Sequence, residues 1–200
     1  MRIKKITVLV TLSLLFAGLA IAKDSPDKEK EKIRKMSNDT LKDLYKLQPT
    51  AKDAIAKASG YAVFDNMGTN LLVLSTARGG GIAINNKTKK ETYMKMASAG
   101  VGLGLGVKDY RVIFIFQEEA KLNTFLDSGW SGSAQTDAAA KAGTKGDAIA
   151  GAVEMDPGVF VYQITKNGLA LQVTLQGTKY YKNDDLNNPK PPETKDKDKK

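Results

Sequence analysis

Lys28, Lys32, Lys35, Lys42 and Lys46 follow one another at steps of four, three, seven and four residues. That spacing stacks side chains along one face of an α-helix. A row of ammonium groups of this kind has two readings: the solvated face of a helix packed on a core, or an electrostatic contact for an anionic membrane surface. Each Lys or Arg held near such a surface contributes ~1 kcal/mol, so five in register would matter where one would not. Glu29, Glu31 and Asp43 blunt the effect, and Asp39 interrupts the stripe. Glycine is the second feature. Arg78 precedes Gly79-Gly80-Gly81, and its guanidinium makes an anion contact there a further, weaker candidate. Gly100, Gly102, Gly104 and Gly106 alternate with Val101, Leu103, Leu105 and Val107. A phosphate loop requires a strand, a tight turn and then a helix N-terminus, whereas strict alternation is strand periodicity. One face of such a strand is bare backbone, which suits close packing or a barrel bend before it suits a ligand.

The chain contains no His and no Cys. Ser-His-Asp and Cys-His catalysis are thereby excluded, together with the commonest metal ligand, thiolate metal sites and disulfides. No D-x-D-x-D-G calcium loop is present. No spacing selects a Ser–Lys or carboxylate mechanism, so the sequence reads as non-catalytic, without cofactor or metal. A pI near 9.5 raises nucleic acid as a partner. Beyond the first residues, however, the arginines are Arg34, Arg78 and Arg111 alone, and neither a helix-turn-helix nor an RNP-like aromatic strand appears. Nucleic-acid binding is not expected.

Residues 1–22 read as a signal peptide. Arg2, Lys4 and Lys5 precede an apolar run from Ile6 to Ile21, and Ala20-Ile21-Ala22 supplies an A-x-A end. The run falls short of the ~20 apolar residues of a spanning helix. Export to the periplasm or the extracellular space is the corresponding expectation for the mature chain. Residues 23–187 then form one domain, and the Pro-, Lys- and Asp-rich stretch 188–200 reads as a disordered tail.

Within the domain, 26–47 reads as an amphipathic helix with Ile33, Met36, Leu41, Leu44 and Leu47 inward, which Ser37-Asn38-Asp39 could break in two. A short helix over 49–59 ends at Gly60. From Tyr61 to 182 the pattern is β-rich: YAVF, a turn at DNMGTN, LLVLST, GGGIAI, a hairpin connection at 85–88, ETYMKM, the glycine alternation, a turn at KDYR, and VIFIF. Gln117–Asp127 reads as a helix stopped at Gly129, MDPG as a turn, and Asn167-Gly168 as a hairpin turn. The final strand, with Leu169, Leu171, Val173 and Leu175 on one side, suggests a sheet with one wet face. The period of 134–152 is undecided.

In their order and spacing, AKASGYAVFDN (57–66), ARGGGIAINN (77–86), AGVGLGLGVKDYRVIFIF (99–116), FLDSGW (125–130) and NGLALQVTLQGTKYY (167–181) resemble the SYLF family. This is the lipid-binding domain also found in actin-patch proteins bearing SH3 domains. The resemblance covers roughly residues 40–182. It implies a β-rich domain with flanking helices that binds membrane lipid and needs no cofactor. The chain departs from the family pattern at Thr92-Tyr93, where members commonly carry Trp-Ser, and in LLVLST, which is not glycine-rich. A signal-bearing member belongs to an exported bacterial-type branch, so phosphoinositide specificity and actin binding do not carry over.

The fold expected is α+β: N-terminal helices packed on a curved, glycine-rich antiparallel sheet that the glycine strands could close into a barrel. The function expected is peripheral association with anionic phospholipid at the cell envelope. Lys28, Lys32, Lys35, Lys42 and Lys46 would make the contact and Arg78 would be a weaker candidate. The alternative is an envelope protein–protein interaction module without lipid binding.

Overall fold

The computed structural model describes residues 25–71, 74–101, 109–132, 149–170, 175 and 177–189, with side chains described except at 67–71, 74–78, 99–101 and 109. The signal segment, most of the tail, the glycine alternation beyond Val101, and Leu171 and Val173 lie outside them, as does 134–152 apart from its last four residues.

Helix α1 spans Pro26–Leu47. The Ser25 hydroxyl accepts from the Lys28 amide, a proline occupies the first turn, and Asp27 and Glu29 complement the positive end of the helix dipole. The break expected at Ser37-Asn38-Asp39 does not occur. Ser37 turns inward without hydrogen-bonding anything, and Asp39 is engaged by Lys35 and Lys42, so neither side chain competes for the backbone. Helix α2, Ala51–Lys57, buries Ala51 and Ile55. Gly60 does not cap it but opens the first strand, where a Cβ would meet the Ile84 carbonyl at 2.5 Å and Leu122 at 2.7 Å.

The strands are β1 (Gly60–Leu71), β2 (Leu74–Asn85), β3 (Glu91–Val101), β4 (Asp109–Phe116), β5 (Trp130–Ser131), β6 (Val153–Asp156), β7 (Val159–Thr165), β8 (Gly168–Leu169) and β9 (Thr178–Lys182). They form one antiparallel sheet in the order β5-β9-β3-β2-β1-β4-β7-β6, with β8 on β7, and the sheet curls into a half-barrel. Helix α3 (Glu119–Ser128) follows β4 and ends at Gly129 with φ 70°, as its sequence suggests. The short helix α4, Asp184–Asn187, follows β9 and buries Leu186.

Two expected turns are strand instead. DNMGTN continues β1, which pairs residue by residue with β2 from Gly60↔Asn85 to Leu71↔Leu74. On its other edge β1 pairs with β4 through Met67↔Asp109, which also places Asp109, Tyr110 and Arg111 of KDYR in a strand. A central strand satisfies its backbone groups on both edges, and that ladder overrides the turn preference of Asp, Asn and Gly. The hairpin at 85–88 is present: Asn85 Oδ1 accepts from the Lys87 and Thr88 amides at 3.0 and 2.9 Å. Asn86 Nδ2 donates to the Ile55 and Ala58 carbonyls at 2.7 and 2.8 Å, fastening the end of α2 to this turn.

Both faces of the sheet centre are covered. Val159 to Ile164 of β7 are buried without interruption, while most of the strand expected to carry a wet face, 171–174 and 176, lies outside the described residues. One face carries Phe64, Phe114, Phe116 and Tyr180, with Phe125 of α3 inserted among them. Ring centroids lie 4.6 Å apart for Phe64–Tyr180, 4.9 Å for Phe116–Phe125 and 5.0 Å for Phe114–Tyr180. On the opposite face, Leu41 and Leu44 of α1 and Ile55 of α2 cover Val63, Ile113, Ile115 and Phe160. The first half of α1 runs on over β2 and β3, where Ile33 meets Ile82 and Tyr93 in a smaller cluster.

Candidate functional site

The buried stripe of α1 (Ile33, Ser37, Thr40, Leu41, Leu44) faces the sheet, which turns Lys28, Lys32, Lys35, Lys42 and Lys46 outward, and all five are exposed. The helix thus assembles the lysine row that the spacing anticipates. It also interleaves acids with it. Asp39 takes Lys35 and, at 3.4 Å, Lys42, while Asp43 takes Lys46 at 3.5 Å. The Lys35 ammonium holds the Asp39 carboxyl below its ordinary value. These pairs are exposed and exchange readily with water or another anion. Arg78 sits in β2 opposite Met67 and Ala97, and its side chain lies outside those described.

Beneath the first half of α1 lies a cleft of about 420 Å³ that the sequence does not announce. Its floor is the bare backbone of Gly79 and Gly80, and Ile33 and Met36 form its apolar wall. Register defines its charges: Asp65 of β1, Gly80 of β2 and Lys95 of β3 are direct partners, so an anion and a cation flank the bare glycine. Lys32 and Glu29 add one of each sign from the helix. At the cleft edge stands Asn183, 3 % exposed, whose Oδ1 has no hydrogen-bond partner.

The helix is held over this cleft by a polar clasp. Arg34 donates to both carboxylate oxygens of Glu91, with Nε–Oε2 at 2.9 Å and Nη2–Oε2 at 2.8 Å, and Tyr93 donates its hydroxyl to Oε2 at 2.9 Å. The guanidinium also lies 5.7 Å from the centre of the Tyr93 ring. The Arg34 hydrogen bonds hold Glu91 below its ordinary value, while burial and then the bond to Glu91 push Tyr93 up to about 12. Further along, Asp43 accepts from Arg111 of β4 at 3.1 Å, tying the second half of the helix to the sheet.

Sequence reasoning missed Asp65, Lys95 and Asn183. The available signal was the glycine triplet, because bare strand backbone permits close approach. Reading Asp65 into a turn concealed it. Among the described residues, no group of three or more metal-ligating side chains could hold an ion, and no helix is long and apolar enough to cross a membrane.

A family model described as Ysc84, Las17-binding protein actin regulator, matches residues 97–189, from late β3 to just beyond α4. Beta cell expansion factor A of Aeromonas veronii is 37 % identical over 154 residues. That alignment covers 77 % of this chain and 57 % of the relative, so the chain spans little more than half of that protein's length. The match falls on the same glycine-strand and hairpin segments that carry the resemblance, and the chain belongs to the SYLF (Ysc84-type) family.

Proposed function

We propose that this is a non-catalytic lipid-binding protein that associates peripherally and reversibly with anionic membrane lipid at the cell envelope, after export and removal of residues 1–22. The observation that carries this reading is the row of five exposed lysines along one face of α1, turned away from the sheet. Membership of the SYLF family agrees with lipid as the ligand class. Asp39 and Asp43 moderate the attraction, so attachment is reversible rather than tight. Because exposed charges are screened over ~10 Å at 0.1 M salt, the contact weakens as salt rises.

Vesicle flotation of the purified protein tests this. Phosphatidylglycerol vesicles should carry the protein at low salt and release it at high salt, and phosphatidylcholine vesicles should carry far less. Equal recovery on both lipids at all salt concentrations contradicts the electrostatic reading. No recovery on any vesicle contradicts lipid binding itself and moves the search to a protein partner at the envelope.

A further inference from the structure

We propose that the cleft beneath α1 binds a single zwitterionic phospholipid of the phosphoethanolamine type, at a site that shares only Lys32 with the outer lysine row. The inference rests on the lipid-binding reading above and adds to it a defined pocket and a headgroup class. Steric detail at the glycines leads to it. A Cβ on Gly79 would overlap the Asp65 carbonyl, and one on Gly81 would overlap the Phe64 ring, so both positions require glycine for packing. Gly80 is different: a Cβ there would meet Ile33 at 3.6 Å, an ordinary contact, and its φ needs no left-handed conformation. Packing leaves room for a side chain at Gly80, and the absence of one opens the cleft floor.

The chemistry of the walls selects the ligand. Lys95 and Asp65 flank Gly80 in register, so across two strand spacings of about 4.8 Å each the floor runs from cation through bare backbone to anion. Lys32 and Glu29 repeat both signs on the helix side. Such a cleft has no net preference for an anion. It complements a head that carries both signs, with phosphate toward the lysines and ammonium toward the carboxylates. A primary ammonium can donate hydrogen bonds to the Asp65 carboxylate, which a quaternary one cannot. Ile33 and Met36 supply the apolar wall for the adjoining acyl chain, and a volume of about 420 Å³ falls within the ordinary size of a small-molecule site. The Lys95–Asp185 pair at the rim, 3.0 Å apart and exposed, leaves Lys95 able to share its protons with a phosphate.

The test is a titration of the full chain with monomeric dihexanoyl phosphatidylethanolamine, followed by the backbone amide resonances. The amides of Gly79, Gly80 and Asn183 should shift saturably. Gly80→Val, whose Cβ fits and whose methyls enter the cleft, should weaken binding by about tenfold or more. Asp65→Asn should weaken the ethanolamine lipid by a similar factor while leaving dihexanoyl phosphatidylglycerol unaffected, and should retain the native spectrum even if Gly80→Val does not. Shifts confined to other residues, or wild-type affinity in both variants, overturn the cleft assignment. Vesicle binding that persists in such a case leaves the lipid-binding reading standing, whereas loss of both removes the two together.

Discussion

The two faces of the curled sheet are built on opposite plans. The face under α3 is aromatic, with Phe64, Phe114, Phe116, Phe125 and Tyr180 linked by ring contacts, and the glycines beside it are forced by overlap. The face under the first half of α1 is sparse. It offers Ile33, a buried Ser37 whose hydroxyl is unpaired, a polar clasp at Arg34–Glu91 and a cleft floored by glycine. One face supplies stability and the other gives up contacts to keep a surface and a cavity available. Proteins commonly place function where local packing is thinnest.

The largest effect should come from breaking the aromatic face. Phe114→Ala removes a ring that touches five other aromatics and should cost ~3–5 kcal/mol, read as a lowered denaturant midpoint. Next is the contrast within the glycine triplet. Gly79→Ala should destabilise by ~1–3 kcal/mol because the backbone must move to admit the methyl. Gly80→Ala should be neutral or slightly stabilising, since a compatible Gly→Ala change restricts the unfolded chain. Thermal melts that lower both equally would contradict the steric distinction between them.

Acid should act more gently, and on the face under α1. Glu91 is held below its ordinary value of 4.5 in the folded chain, so its contribution is fully present above that value and is lost as pH falls through the lower, folded-state value. The clasp is partly exposed and should be worth no more than about 1 kcal/mol. In Glu91→Gln, denaturation at pH 7 and pH 3 should show a correspondingly smaller loss on acidification. An unchanged acid response would place the sensitivity elsewhere. The smallest change in stability should come from Asp39→Asn, which leaves the fold intact and releases Lys35 and Lys42 from their shared acid. Binding to anionic vesicles should rise by about fivefold, the effect of one further cation near the surface. Unaltered binding would mean that Asp39 does not mask the row.

The helical half of the molecule was legible because its periodicity is local. The lysine and leucine phases place α1, and Gly129 and Asn167-Gly168 stop a helix and turn a hairpin by their own backbone preferences. β1 was misread because Asp65, Asn66 and Gly68 are turn formers by type, and only pairing with β2 and β4 makes them strand. The cleft was hidden for the same reason. Asp65, Gly80 and Lys95 come from three strands and meet only through register, which depends on long-range pairing. The lysine row could be read from spacing alone, but not the inward turn of Ser37 that keeps its helix unbroken.

The central claim is that the outer face of α1 makes the lipid contact. Its most direct test is co-sedimentation of wild type and a variant with Lys28, Lys32, Lys35, Lys42 and Lys46 all changed to Gln, on phosphatidylglycerol vesicles at low and high salt. Salt-sensitive pelleting of the wild type and its loss in a correctly folded variant is the result expected. Pelleting of the variant equal to wild type would show that the row is only a solvated helix face and would contradict the account.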